Sequence, residues 1–154
     1  KYIKSIEEKD LFNFFKEYIS KYKKPLDETK STTILKSLNF LKNKAKTLDD
    51  IYQNARYILN ENIEISTEDF KLLDDSSKKI AKEFLGEFQE MKDINKENLE
   101  KIINALIGKY KTNFKGVGQP LRIVLTGSKF GPGIYDIIMS LGKLDIEKRL
   151  SKII

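Results

Sequence analysis

Two stretches of this 154-residue chain hold cations and no carboxylate. Residues 29–48 carry Lys30, Lys36, Lys42, Lys44 and Lys46, and residues 101–135 carry Lys101, Lys109, Lys111, Lys115, Arg122 and Lys129. Phosphate binding asks for such an arrangement, because a neighbouring carboxylate cancels the attraction and repels the ligand. A solvated basic surface is the plainer alternative, and a pair of such stretches in one small chain favours a polyanion partner. Tyr110, Phe114 and Phe130 lie in the second stretch, in segments that read as basic loops where a ring can stack on an unpaired base. The run Gly127-Ser-Lys-Phe-Gly-Pro-Gly133 leaves two readings open. It is a tight turn between helices, or its backbone N–H groups, with Lys129 and Arg122 nearby, hold an anion or a splayed base. It is not a Walker A loop, since Lys129 lacks the following Ser/Thr and no strand precedes it.

Much other chemistry is excluded. The chain has no histidine and no cysteine, so disulfides, imidazole or thiolate metal sites, Ser-His triads and imidazole acid–base catalysis are absent. Carboxylates, Lys and Tyr remain as catalysts. The pairs Asp49/Asp50 and Asp74/Asp75 are adjacent, so on a helix they point about 100° apart and cannot share a proton; they read as partners of helix N-terminal dipoles. No apolar run approaches the ~20 residues of a membrane span, and nothing near the start reads as a signal peptide. The expectation is a soluble, cytoplasmic, monomeric protein without membrane partners. The first residue is Lys1, which predicts a processed chain or a piece of a longer one.

The elements that must position these residues are helices. Gly and Pro are scarce, and apolar spacing is helical nearly throughout, so the fold class is all-α. A capping box, Ser5 with Glu8, predicts a helix carrying Leu11, Phe14, Phe15, Tyr18, Ile19 and Tyr22, ended by Pro25. A second helix is expected over about 31–45, and a third after Thr47 and Asp50, with Asn60–Ile65 as a loop. Ser66 with Asp69 opens another, with a break expected at Asp74–Ser77, and Asn95 caps the next. Residues 110–119 then read as a basic loop, with Pro120 as the first residue of a short helix and Pro132 opening the one after. Residues 1–95 hold 18 bases and 18 acids, and 96–154 hold 11 and 5, so the net charge of +6 belongs to the last part. That shift predicts a boundary near 92–96, dividing a helical subdomain, 1–95, from a basic one, 96–154.

The run Gln119-Pro-Leu-Arg-Ile-Val-Leu-Thr-Gly127, followed by Gly131-Pro132, Leu141-Gly142-Lys143 and Arg149-Leu150, resembles the C-terminal anticodon-binding region of bacterial-type glutamyl-tRNA synthetases. Lys44-Ala-Lys-Thr-Leu48 and Ala55-Arg-Tyr57 match upstream in the right order. The resemblance implies a two-subdomain helical module that grips the anticodon stem-loop of a glutamate-accepting tRNA. A separate catalytic domain in cis would use ATP and Mg to charge the tRNA. The histidine-bearing and Lys-Ser-bearing signatures of that domain have no counterpart here, so this chain is expected to hold no cofactor, metal or catalytic residue and to be inactive alone. By motif position, Lys44 would read the third anticodon base, where Arg is usual, and Arg122, Gly131, Pro132 and Ile134 the first two; one further family Arg falls on Asn104. Lys42, Lys46, Lys109, Lys111, Lys115 and Lys129 would then position phosphates. Two rival readings are a helical protein–protein module with an acidic partner and a stand-alone nucleic-acid-binding bundle.

Overall fold

The computed structural model describes residues 5–43, 45–59, 64–129 and 131–153. Among the described residues there are nine helices and no strand, and the chain divides into two units, Lys1–Asn62 and Ile63–Ile154.

The first unit holds α1 (Glu8–Tyr22), α2 (Glu28–Leu41) and α3 (Leu48–Leu59), each packed on the other two. Leu11, Phe15 and Ile19 of α1 are buried, as are Ile34, Leu38 and Leu41 of α2 and Ile51, Ala55 and Ile58 of α3. Phe14, Tyr22 and Leu35 fall outside these stripes and are exposed. The Ser5/Glu8 box does not open α1: Glu7 is the N-cap, without a side-chain bond. The Glu8 carboxylate meets the Lys42 ammonium at 3.2 Å, a tertiary ion pair between the start of α1 and the end of α2. α2 starts three residues earlier than expected because the Asp27 carboxylate accepts the Thr29 N–H at 3.0 Å. At α3 the reciprocal box forms in full, with Asp50 N–H donating to Thr47 Oγ1 at 3.1 Å and Thr47 N–H to Asp50 Oδ2 at 3.2 Å.

The second unit holds α4 (Thr67–Phe70), α5 (Asp75–Glu90), α6 (Lys96–Lys109), α7 (Phe114–Thr126), α8 (Ile134–Leu141) and α9 (Lys143–Ile153). Ser66, Asp74 and Asn95 each accept an N–H from the first turn of the helix they precede. α7 packs against α5, α6, α8 and α9, and its Val117, Leu121, Ile123, Val124 and Leu125 are buried. The charge shift near 92–96 lies within this unit, between α5 and α6, which pack on each other.

α7 departs most from expectation. Asn113 Oδ1 accepts the Gly116 N–H at 2.9 Å, so the helix begins at Phe114 and absorbs most of the expected loop 110–119. Pro120 is therefore interior, with no N–H to offer the Gly116 carbonyl. Burial of the apolar face, worth roughly 1.5–3 kcal/mol per large side chain, outweighs that defect and the two glycines. Gly127 ends α7 at φ 84, the left-handed conformation that a Cβ disfavours. Gly133, rather than Pro132, is the N-cap of α8.

Candidate nucleic-acid interface

Once residue 114 starts a helix, Lys115, Gly118, Gln119 and Arg122 fall at i, i+3, i+4 and i+7, one face of α7. Together with Phe114 and Lys129 they line an open cleft of about 390 Å³. Three of the six lining residues are cations and none is a carboxylate. At this cleft, part of the acid-free stretch becomes a lining without a carboxylate.

Arg122 is half-buried, and desolvation pulls its pKa below the usual value; a guanidinium stays protonated regardless. Its Nη1 donates to the Lys129 carbonyl at 2.9 Å, and its buried Nε has no acceptor among the described residues. One of five N–H donors is therefore engaged, leaving a planar fork suited to carboxylate, phosphate or base edges. Phe114, 43% exposed, stands at the start of α7 with its ring centroid 5.9 Å from that of Tyr135. A Cβ at Gly118 would lie 3.4 Å from the Phe114 ring, in ordinary van der Waals contact.

The other expected residues are dispersed. Lys111 is exposed at φ 50. Lys109 Nζ and Tyr110 Oη both donate to Glu83 Oε1 at 2.7 Å, tying the end of α6 to α5. The two bonds, Lys109 first, hold the Glu83 carboxyl below its ordinary range, and Glu83 in turn raises Lys109 and Tyr110. Tyr110 is thus a tether, where sequence spacing suggested a free stacking ring. Lys42 bonds to Glu8 and to the Ile6 carbonyl at 3.3 Å, so its ammonium is held within the first unit. Lys46 is exposed and donates its backbone N–H to Asp50. Gly131 has φ 138, and Pro132 and Ile134 are buried, Ile134 being 1% exposed. Ile134 packs in the core, so at this turn the backbone rather than the side chain can meet a ligand. Lys44 and Phe130 lie outside the described residues.

Gly118 and Gln119 were not singled out as site residues in the sequence reading. Recognising Asn113 as a cap would have found them, since it sets the register of the face. Asp69, whose Oδ2 accepts the Lys129 N–H at 3.4 Å, gave no signal beyond its place in a capping box. Among the described residues no carboxylate cluster suits a metal ion, and no helix is long and apolar enough to cross a membrane.

Residues 10–154 match the anticodon-binding domain family. A glutamate–tRNA ligase of Pelagibacter ubique is 54% identical over 149 residues, 97% of this chain and 32% of that protein. One from Thermodesulfovibrio yellowstonii is 28% identical, covering 99% of this chain and 34% of that protein. The chain thus spans about a third of the length of these relatives. In fold it is similar to a glutamate–tRNA ligase from Elizabethkingia meningosepticum solved in complex with its amino acid, with a TM-score of 0.80 at 20% identity, covering 99% of this chain and 30% of that one. With the family matched along nearly its whole length, the chain belongs to the anticodon-binding domain family and corresponds to the C-terminal part of glutamate–tRNA ligases.

Proposed function

We propose that this chain recognises the anticodon stem-loop of a glutamate-accepting tRNA, as the anticodon-binding part of a cytoplasmic, monomeric enzyme that joins glutamate to tRNA. A catalytic domain outside these residues uses ATP and Mg for that reaction. The observation that carries the reading is the cleft on α7, whose Arg122, Lys115 and Lys129 come with an exposed Phe114 and without a carboxylate, in a chain matched to the family over residues 10–154.

The division of labour follows from chemistry. Lys115 and Lys129, with exposed Lys111 and Lys46, neutralise phosphates and hold the loop in register without reading sequence. Phe114 offers a face to an unstacked base, and the remaining donors of Arg122 meet acceptors on a base edge. Lys44 supplies a single ammonium at the third anticodon position. In this reading 96–154 carries the residues for the first two anticodon bases and 1–95 carries Lys44 for the third.

Titrating the 154-residue chain with a glutamate-tRNA anticodon stem-loop tests it. Affinity should fall with salt by about 0.7–0.9 log units per log unit of salt for each phosphate neutralised, and should exceed that for a loop of unrelated anticodon. Absence of binding, or binding indifferent to salt and anticodon, defeats the proposal and favours a protein partner.

A further inference from the structure

Burying a charged side chain is unfavourable unless its hydrogen bonds are met. Among the described residues two charged side chains are buried, Asp69 at 8% and Arg149 at 3% exposure. They belong to different elements, α4 and α9, yet both reach the backbone of one turn, residues 125–129. Arg149 Nη1 donates to the Leu125 carbonyl at 2.6 Å, and its Nε lies 3.4 Å from the Asp145 carboxylate one turn earlier on α9. Asp69 accepts the Lys129 N–H at the other end. Between these anchors Thr126 Oγ1 lies 2.8 Å from the Arg122 carbonyl and accepts the Ser128 N–H at 3.3 Å. The Lys129 residue is thereby held on both sides, by Asp69 at its N–H and by Arg122 at its carbonyl.

We infer that Asp69 and Arg149 are positioning residues for recognition, fixing the 125–129 turn so that Arg122 keeps its guanidinium plane set toward the cleft. Neither lines the cleft itself. The physical need is orientation. An arginine carries large rotamer freedom, and a two-pronged contact to a base forms only if the fork is already aimed. One donor anchored to a carbonyl supplies the aim only if that carbonyl is itself immobile. The inference rests on the base-reading role given to Arg122 above.

The test compares the wild-type chain with Asp69→Ala, Arg149→Met and the milder Arg149→Lys, with Ile146→Val as a core change on the same helix. Each is bound to a glutamate-tRNA anticodon stem-loop and to one altered at either of the first two anticodon positions, below its melting temperature. Discrimination should drop about tenfold in Asp69→Ala and in whichever Arg149 variant folds, with salt-dependent binding retained, while Ile146→Val keeps the wild-type ratio. Undiminished discrimination in the folded variants, or an equal loss in Ile146→Val, overturns the inference. The Arg122 Nε–H resonance gives an RNA-free readout, assigned by its loss in Arg122→Lys. It should shift in Asp69→Ala and Arg149→Lys and stay put in Ile146→Val; an unmoved resonance in the first two overturns the inference too. A wild-type chain that fails to discriminate defeats the functional reading, and the resonance still decides the positioning.

Discussion

Cations that look equivalent in the sequence do different work according to what each ammonium or guanidinium already touches. Arg122→Ala should reduce affinity and erase about 1–3 kcal/mol of preference at the base it reads, measured against single-base variants of the stem-loop. Lys115→Ala should weaken all anticodons alike and lower the salt slope by about one unit. Lys42→Ala is expected to leave the salt slope unchanged and to lower the melting temperature, because its ammonium already serves Glu8 and the Ile6 carbonyl. Replacing Lys44 by Arg should sharpen third-base discrimination in the same assay, since a planar fork replaces a point charge. Arg122, Lys115 and Lys129 could be picked out from charge and motif. That Lys42, Lys109 and Tyr110 are engaged could not, because Glu8 and Glu83 lie 34, 26 and 27 positions away from them.

Helix starts were legible where the signal is local. Thr47, Ser66 and Asn95 cap as their spacing predicts, whereas Asp27 and Asn113 were passed over because Pro25 and the glycine-rich run after 113 argued against helix nearby. The caps carry a pH signature. Backbone N–H groups donated by Thr29, Lys46 and Ser77 hold Asp27, Asp50 and Asp74 below the ordinary carboxylate range. Depressed folded pKa values contribute stability above the unfolded values, near 4, that is lost as pH falls through the folded ones. Thermal melts should therefore decline below about pH 4, less steeply in Asp50→Asn. On α7, Gly118→Ala should raise the melting temperature, since alanine is the better helix former by about 1 kcal/mol and its Cβ meets the Phe114 ring at ordinary contact distance, and should leave stem-loop affinity unchanged, a split read by comparing melting with titration.

At the scale of the molecule, the all-α class was legible in helical apolar spacing, and the cationic cleft in where acids are missing. The limits of the contact units were not. Charge changes near 92–96, while the contact units are 1–62 and 63–154, because charge can vary freely over a surface and packing follows apolar faces. Lys115, Lys129 and Arg122 come together in the second unit, and Lys42 and Lys46 belong to the first.

The turn at 125–129 also bears on transplantation. Its shape is set by an aspartate 60 positions before Lys129 and an arginine 24 positions after Leu125, so excising α7 and its loop as a peptide, or splicing them into another helical scaffold, would carry over the letters of the motif without its geometry. The smallest graft that keeps this cleft intact must run from before Asp69 to beyond Arg149.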